Sequence, residues 1–330
     1  MQTIELGRSG LQVSRIAFGC MSTVPNATYD GVADQDAVSA IRSALDHGIN
    51  FFDTAPGYGN GASEELLGRA LEGVRDQAII GNKLGSQRMD AEEVRTECEK
   101  SLKLLRTDVM DLYQIHWPRG VVPIDETLKA MEKLVTDGKV RHLGVCNFGI
   151  EDLTVGLGSG VSLVSNQIVY SLLARAVEVE VTPLCVENGL GLLCYSPLAQ
   201  ALLAGKYDNA DAVPPERART RHFSKDRPQS RHDEAGCEQQ TFAAIAGVKA
   251  VADRLGHSMA DVALAWLLQQ PGVACVLAGA SRVDQVARNA AAAEISLSPD
   301  DLAELDRVTA PVKDAMGPSL DMWATPSRIK

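Results

Sequence analysis

The sequence predicts an α/β fold: a (β/α)8 TIM barrel with an N-terminal β-hairpin, an extra helix and a C-terminal tail. Short strand-like runs alternate with segments of helical period along nearly the whole chain, which indicates βα units and a parallel sheet. Eight such units can be counted, and the 330 residues exceed the roughly 250 that one such barrel uses. We therefore expect residues 1–330 to form a single domain.

The predicted strands are short apolar runs bounded by turn residues. They cover residues 15–19, 49–53, 78–83, 109–117, 140–145, 163–167, 191–196 and 273–279. The segment 3–14 has a turn between two short strand-like runs, so we expect a hairpin that closes the bottom of the barrel.

The segments between the strands predict amphipathic helices. In the helix predicted from residue 90, Asp90 followed by Glu93 forms a capping box, and apolar residues recur at helical spacing. Another helix is expected to end at Gly138, a suitable residue just beyond a helix C-terminus. We expect the extra helix at residues 259–270.

Composition excludes several classes of protein. The formal net charge of −11 argues against binding to nucleic acid or to anionic membranes, which need a positive surface. The longest apolar runs fall short of the roughly 20 residues that span a bilayer. The N-terminal residues lack the apolar core of a signal peptide, and the seven cysteines form no CxxC pair. We expect a cytoplasmic protein with reduced thiols.

Polar residues occur where the predicted strands end. In this fold the active site lies at the C-terminal ends of the strands, so these residues are candidates for a site. They are Asp53, Lys83, His116, Cys146, Asn147, Asn166, Gln167 and Tyr195. A polar ring at one end of an apolar barrel is costly unless its members bond to one another.

Several motifs, in order and correctly spaced, resemble the aldo-keto reductase family over nearly the whole chain. They include "SGLQVSRIAFGCM", "NFFDTAPGYG", "NKLG", "DLYQIHWP", "GKVRHLGVCNF" and "VLAGASRVDQVARN". The resemblance implies an NADP(H)-dependent oxidoreductase that reduces an aldehyde or ketone to an alcohol. It places the family's catalytic residues at Asp53, Tyr58, Lys83 and His116.

The chemistry of the reaction explains these residue types. Hydride transfer leaves negative charge on the carbonyl oxygen, which must then receive a proton, and Tyr58 is the expected donor. A free tyrosine has a pKa near ~10, so a cation such as Lys83 is useful because it favours the phenolate. Asp53 would pair with Lys83, and His116 would donate a hydrogen bond to the carbonyl oxygen.

The resemblance also implies the positions that contact the cofactor. They are Gly19, Cys20, Met21, Asp53, Cys146, Asn147, Gln167, Tyr195, Ser196, Leu198, Gln200, Lys206, Gly279, Ser281, Arg282, Gln285 and Asn289. The nicotinamide carboxamide is expected to be held by residues 146, 147 and 167. The ring that stacks on the nicotinamide is expected to be that of residue 195. Residues 198, 200 and 206 fall in the pyrophosphate loop, and residues 281–289 contact the adenosine 2′-phosphate and the adenine.

Two positions depart from the family pattern. Relatives commonly have Ser at the position of Cys146, and many have Glu at the position of Arg288. A thiol is a poorer hydrogen-bond partner, and Arg288 is interpreted as a solvated helix residue. Arg282 is a permanently charged bidentate donor suited to a phosphate, which favours NADPH over NADH.

The substrate is expected to contact Tyr58, His116 and Trp117. Specificity is expected to depend on the loops 22–33, 119–124 and 214–232 and on the C-terminal tail, which contains Trp323. The loop 214–232 carries five arginines and is either a mobile lid or a solvated loop. Trp323 either folds back over the mouth or packs on the barrel. Small residues near the mouth favour small or sugar-like carbonyl compounds, and the sequence has no HxH or HExxH metal motif.

On the sequence alone, a second function remains open. Potassium-channel β subunits that resemble this family use the same barrel as a cofactor-binding, redox-sensing partner, and an intact set of catalytic residues does not separate the two functions. A barrel that binds a phosphorylated substrate without a cofactor conflicts with Tyr195 and Arg282. The expected partner of the reductase is a small-molecule carbonyl substrate, and the oligomeric state is not predicted.

Overall fold

The computed structural model of the chain describes residues 1–25 and 31–330. The strands are β1 (Thr3–Glu5), β2 (Gln12–Ser14), β3 (Ile16–Gly19), β4 (Phe51–Asp53), β5 (Ile79–Leu84), β6 (Met110–Ile115), β7 (Val140–Cys146), β8 (Leu163–Val169), β9 (Gly191–Tyr195) and β10 (Val273–Gly279). The helices are α1 (Asp34–Asp46), α2 (Ala62–Ala70), α3 (Ala91–Leu104), α4 (Ile124–Thr136), α5 (Ile150–Gly158), α6 (Val181–Asn188), α7 (Glu238–Leu255), α8 (Met259–Leu268), α9 (Val283–Ala292) and α10 (Pro299–Met316). The predicted loop 22–33 lies partly outside the described residues, because these do not include 26–30.

The strands β3 to β10 form a closed parallel barrel. Their order around the barrel is β10-β3-β4-β5-β6-β7-β8-β9, so chain neighbours are also neighbours in space. The ring closes where Ile16 of β3 pairs with Val276 of β10. This confirms the predicted fold and the eight predicted barrel strands.

The N-terminal hairpin closes one end of the barrel, as predicted. Its strands β1 and β2 pair antiparallel, and the side chains of Leu6 and Val13 are fully buried. They pack in a cluster with Phe51 and Leu112. The backbone N–H of Ser14 donates to the side-chain oxygen of Asn50 at 2.7 Å, which ties the hairpin to the start of β4. The opposite end of the barrel is therefore the one left for a site.

The predicted helix ends are close to those in the structure. The side chain of Asp90 accepts a hydrogen bond from the Glu93 N–H at 3.0 Å, as an N-cap residue does. The Glu93 carboxylate accepts from the Met89 N–H at 2.7 Å rather than from the amide of Asp90, so the expected reciprocal box is shifted by one residue. Gly138 follows the end of α4 with φ +74°, a conformation that favours glycine.

The extra helix is not where the sequence predicts it. The predicted segment 259–270 contains α8, which packs against β10 and α9 and is therefore part of the barrel's own helical layer. The additional helices are α7 and α10, which pack along each other. Among the described residues, no helix is long and apolar enough to cross a membrane.

Candidate active site

A buried ion pair lies at the C-terminal end of the barrel. The Lys83 ammonium donates to a carboxylate oxygen of Asp53 at 2.6 Å and to the Thr54 carbonyl at 2.9 Å. It also lies 3.3 Å from the hydroxyl oxygen of Tyr58. Lys83 is completely buried, and Asp53 is nearly so. The strands β4 and β5 and the loop after β4 thus bring the three predicted residues together.

The surroundings set the protonation of this group. Burial alone would lower the pKa of Lys83, but the charge of Asp53 raises it above its usual range, so the ammonium stays protonated. Burial raises the pKa of Tyr58 to about 12, although the charge of Lys83 acts to lower it. As predicted, the charge of Lys83 acts to lower the pKa of Tyr58, but burial has the larger effect on this pKa. The phenol is therefore fully protonated at neutral pH.

His116 lies beside Tyr58. The two rings meet edge to face, with 6.1 Å between their centroids and 84° between their planes. Burial, followed by the charge of Lys83, lowers the pKa of His116 to about 3, so the imidazole is neutral at pH 7. Strand β6 ends at Ile115, so His116 and Trp117 lie just beyond the strand rather than within it as predicted.

Polar side chains from β7, β8 and β9 continue the site. The Gln167 amide donates to the second Asp53 oxygen at 2.7 Å. The Asn147 amide donates to the His116 carbonyl at 3.0 Å and accepts a hydrogen bond from the Tyr195 hydroxyl at 2.7 Å. The residues expected at the nicotinamide thus form one network with the residues expected to be catalytic.

Of the two other members of the predicted polar ring, Cys146 contacts the network and Asn166 does not. Cys146 is buried, with its sulfur 3.2 Å from the side-chain nitrogen of Asn147, and burial raises its thiol pKa. Asn166 does not join the network, because its amide donates to the Phe148 carbonyl at 2.9 Å. Successive residues of a strand point to opposite faces, so Gln167 faces the site and Asn166 does not.

The loop after β9 has an unusual backbone conformation. Non-glycine residues with positive φ cluster there: Ser196 (52°), Ala199 (46°), Gln200 (58°) and Ala201 (71°). Backbone strain of this kind is concentrated at functional sites and at loops that hold ligands. The side-chain oxygen of Gln200 is buried and has no hydrogen-bond partner within the described chain. The loop contains the three residues that are predicted to contact the pyrophosphate, which are Gln200, partly buried Leu198 and exposed Lys206.

The ends of β3 and β10 lie side by side at the mouth. Gly19 pairs with Gly279 in the barrel, and a Cβ at Gly279 would come within 3.0 Å of the Ser22 hydroxyl oxygen. Cys20 is buried, whereas Met21 is exposed. The three predicted contacts on this side, residues 19–21, therefore lie next to Gly279, the predicted contact at the end of β10.

The predicted adenosine-binding residues cluster at the start of α9. The Gln285 side chain accepts a hydrogen bond from the Ser281 N–H at 2.8 Å. The Asn289 side chain donates to the Gly279 carbonyl at 3.4 Å. These bonds join the first turns of α9 to the end of β10, so the predicted contacts for the adenosine lie in one place.

The two arginines of this region share one carboxylate. Arg282 is exposed and pairs with Asp284 at 2.9 Å. Arg288 pairs with the same carboxylate at 2.9 Å. Arg288 is an exposed residue of α9, as interpreted from the sequence, and its surface ion pair with Asp284 spans one helical turn.

The C-terminal tail, residues 317–330, crosses the mouth. The Trp323 ring stacks on Tyr195, with 5.9 Å between their centroids and 10° between their planes. Of the two predicted arrangements, the tail therefore adopts the one in which it folds back over the site.

The loop 214–232 holds this tail in place. Arg221 is buried and donates to the carbonyls of Met316, Ser319 and Asp321. The centre of the loop is therefore an anchor for the tail. Sequence reasoning missed this contact, since only the arginine content of the loop is visible locally.

Within residues 1–25 and 31–330, no group of three His, Cys, Asp or Glu side chains could hold a metal ion. The site consists of a buried cation, a protonated phenol, a neutral imidazole and two amides. This set can donate a proton and hydrogen bonds to an oxygen atom on which negative charge develops.

Known proteins resemble this chain over almost its full length. The model of the "Aldo/keto reductase family" matches residues 15–310. The aldo-keto reductase YhdN of Bacillus subtilis is 31% identical, with 99% of both chains covered. A probable voltage-gated potassium channel subunit beta of Arabidopsis thaliana is 31% identical, covering 93% of this chain and 96% of that protein. A crystal structure of an aldo/keto reductase from Klebsiella pneumoniae in complex with NADP and acetate has 30% identity and a TM-score of 0.71, covering 93% of this chain and 95% of that one. The chain therefore belongs to the aldo/keto reductase family.

Proposed function

We propose that this protein is an NADP(H)-dependent carbonyl reductase that converts a small aldehyde or ketone to an alcohol, with Tyr58 as the proton donor. The observation that carries this proposal is the position of Lys83, whose ammonium contacts both the Asp53 carboxylate and the Tyr58 hydroxyl. His116 lies next to Tyr58. Family membership and the NADP-bound relative support the choice of reaction and cofactor.

The residues at the mouth fit the cofactor. The amides of Asn147 and Gln167 would hold the nicotinamide carboxamide, and the strained loop after β9 would hold the pyrophosphate. Arg282, already oriented by Asp284, would contact the 2′-phosphate and favour NADPH over NADH. When bound, NADPH supplies a hydride to the carbonyl carbon.

The chain's own residues then handle the proton. The neutral His116 donates a ring N–H to the carbonyl oxygen and so orients it, and Tyr58 transfers its hydroxyl proton to that oxygen as negative charge develops. The resulting phenolate lies 3.3 Å from the Lys83 ammonium, which stabilises it. Asp53 balances the lysine charge throughout, so the site never holds an isolated buried cation.

The whole chain is proposed to act as one cytoplasmic domain. The tail returns to the mouth and the hairpin closes the other end, so both ends of the chain contribute to the barrel. All seven cysteines are buried free thiols, as in proteins of a reducing compartment.

The test is an NADPH-oxidation screen over aldehydes, ketones and sugars, repeated with Tyr58→Phe. This variant removes only a hydroxyl group, so folding and NADPH binding should persist while turnover falls by about 10²–10⁴-fold, as expected for a lost general acid. Tyr113→Phe is the matched control, because the Tyr113 hydroxyl is buried without a partner among the described residues. If Tyr58→Phe reduces a wild-type substrate at the wild-type rate, Tyr58 is not the donor.

The alternative function is a cofactor-binding regulatory subunit, favoured by the similarity to the Arabidopsis potassium channel subunit beta. Stoichiometric capture of a partner protein, together with negligible turnover on every carbonyl compound in the screen, would support this alternative. Measurable reduction that depends on Tyr58 would support the reductase.

A further inference from the structure

Two arginines approach the ring of Trp117, the residue that directly follows His116. The guanidinium carbons of Arg119 and Arg328 each lie 4.5 Å from the ring centroid, as in cation–π contacts. Arg119 belongs to the loop after β6, and Arg328 belongs to the tail that crosses the mouth. Positive charge is therefore placed beside the expected substrate position, in a protein with a formal net charge of −11.

The charge of Arg328 is locally balanced, whereas that of Arg119 is not. Arg328 pairs with the buried carboxylate of Asp321, donating at 2.8 Å through one of its terminal nitrogens. Within the described chain, the Arg119 side chain is exposed and forms neither an ion pair nor a hydrogen bond. Its guanidinium keeps its full set of donors, which are fixed in direction by the stack on Trp117.

A third cation, Arg231, extends this positive region. Its backbone forms a bridge with Ala324, and its carbonyl accepts from the Thr325 N–H at 3.3 Å, so it lies against the tail. Its side chain, too, has no ion pair with any described residue. Arg119, Arg231 and Arg328 are called the mouth arginines below.

At Arg119, the repulsion from the other two mouth arginines exceeds the attraction of the nearby Asp321. Partial burial and the charges of Arg328 and Arg231 lower the pKa of Arg119, while Asp321 acts to raise it. Two nearby acids are engaged elsewhere. Glu234 pairs with Arg221 at 2.7 Å, and Asp233 accepts from the Thr325 hydroxyl at 2.5 Å. An added anion would relieve the repulsion among the arginines.

We propose that the mouth arginines bind a negatively charged group, a carboxylate or a phosphate, on the carbonyl substrate. This inference rests on the proposed reductase function and names its substrate class. Arg119 supplies the principal contact, Arg231 adds long-range attraction, and Arg328 holds Trp117 and the tail in place. The carbonyl end of the same substrate reaches Tyr58 and His116.

The cofactor phosphates are not the ligand of this region. They are assigned to the loops after β9 and β10, whereas Arg119 follows β6. In the order β10-β3-β4-β5-β6-β7-β8-β9, strand β6 is four positions from β10 and thus on the opposite side of the barrel. Arg119 therefore lies on the side of the mouth away from the adenosine end, and Arg231, although it belongs to the long segment after β9, lies against the tail through its bridge with Ala324.

The experiment compares matched neutral and anionic aldehydes in the full-length protein with saturating NADPH. One pair is butanal and succinic semialdehyde, which tests a carboxylate; the other is glyceraldehyde and glyceraldehyde 3-phosphate, which tests a phosphate. For at least one pair, kcat/KM for the anionic member should exceed that for its neutral partner by about tenfold or more, the effect of one charge-assisted contact. The preference should shrink as salt is added, because Arg119 and Arg231 are exposed.

Variants test whether Arg119 causes the preference for the anionic aldehydes. Arg119→Met should reduce the anionic-to-neutral ratio of kcat/KM by about fivefold or more, mainly through KM, and Arg119→Lys should restore part of it. Arg307→Met is the matched control, because it removes the same charge from an exposed position on α10 with only a 4.0 Å contact to Glu304. It should leave the ratio unchanged.

The outcomes separate the two proposals. Turnover of all four aldehydes with equal kcat/KM within each pair would overturn the anionic substrate while leaving the reductase intact. The anionic substrate is also overturned, and the reductase left intact, if Arg307→Met lowers the anionic-to-neutral ratio as much as Arg119→Met does. Absence of turnover with all carbonyl compounds would overturn the reductase proposal, and the substrate class with it.

Discussion

At the scale of single residues, Lys83 is the member of the site on which the others depend. Its ammonium makes three polar contacts, to Asp53, Thr54 and Tyr58, and it is completely buried. A buried charge is tolerable only when paired and hydrogen-bonded, so Lys83 and Asp53 are structurally coupled as well as placed for chemistry. Removing one of them leaves the other as an isolated buried charge.

Lys83→Met should therefore reduce both stability and rate. We expect the free energy of unfolding to fall by about 3–5 kcal/mol, because Asp53 loses its partner. Urea denaturation measures the stability, and NADPH oxidation measures the rate. The double variant Asp53→Asn/Lys83→Met should recover part of the stability without recovering the rate. If it is no more stable than Lys83→Met, the isolated charge is not the cause of the loss.

The sequence predicts this residue cluster well because strand ends fix it. Asp53 and Lys83 end neighbouring predicted strands, so parallel pairing alone brings them together. The stack of Trp323 on Tyr195 could not be predicted in this way. It joins a strand end to a tail far along the chain, and no local pattern determines where a tail without regular structure will lie.

At the scale of elements, the helix α8 shows where hydrophobic periodicity fails to predict the position of a helix in the fold. Nearly all of its residues are buried, including Ala263 and Trp266, so the apolar pattern has no polar face to mark its orientation. A helix that is apolar all round is surrounded by protein, which indicates burial without indicating the layer to which it belongs. Only its packing against β10 and α9 identifies it as a barrel helix.

The anchoring of the tail by the loop 214–232 gives a prediction for one element. Arg221→Met removes donors to three carbonyls of residues 316–321, so the tail should open more often. Amide hydrogen exchange should accelerate in residues 317–325 and stay unchanged in β5 and β6. Arg307→Met is again the control. Unchanged exchange in the tail would show that Arg221 does not anchor it.

At the scale of the whole molecule, buried histidines link stability to pH. Burial lowers the pKa of His222 to about 4. The Nε2 atom of its ring is hydrogen-bonded to the Leu173 carbonyl oxygen at 2.7 Å. His116 has a pKa of about 3 for the same principal reason. Both values lie below the ordinary value near ~6.5, so the unfolded chain takes up these protons first as the pH falls.

The protein should therefore lose stability as the pH falls from about 6.5 to about 4. Each such histidine contributes a slope of up to about 1.4 kcal/mol per pH unit. Urea denaturation at a series of pH values measures this slope, and His222→Gln should make it shallower. A free energy of unfolding that is constant from about pH 7 to about 4.5 would contradict the prediction.

The pairing of Ile16 with Val276 has a consequence for how the chain is made. During synthesis, β3 emerges early, but its second neighbour β10 emerges only after most of the chain has left the ribosome. Until then, β3 presents an unpaired edge that can pair with another chain. Because the first and last strands of the ring must meet before the edge disappears, we expect the nascent chain to expose this edge of β3 until β10 has emerged.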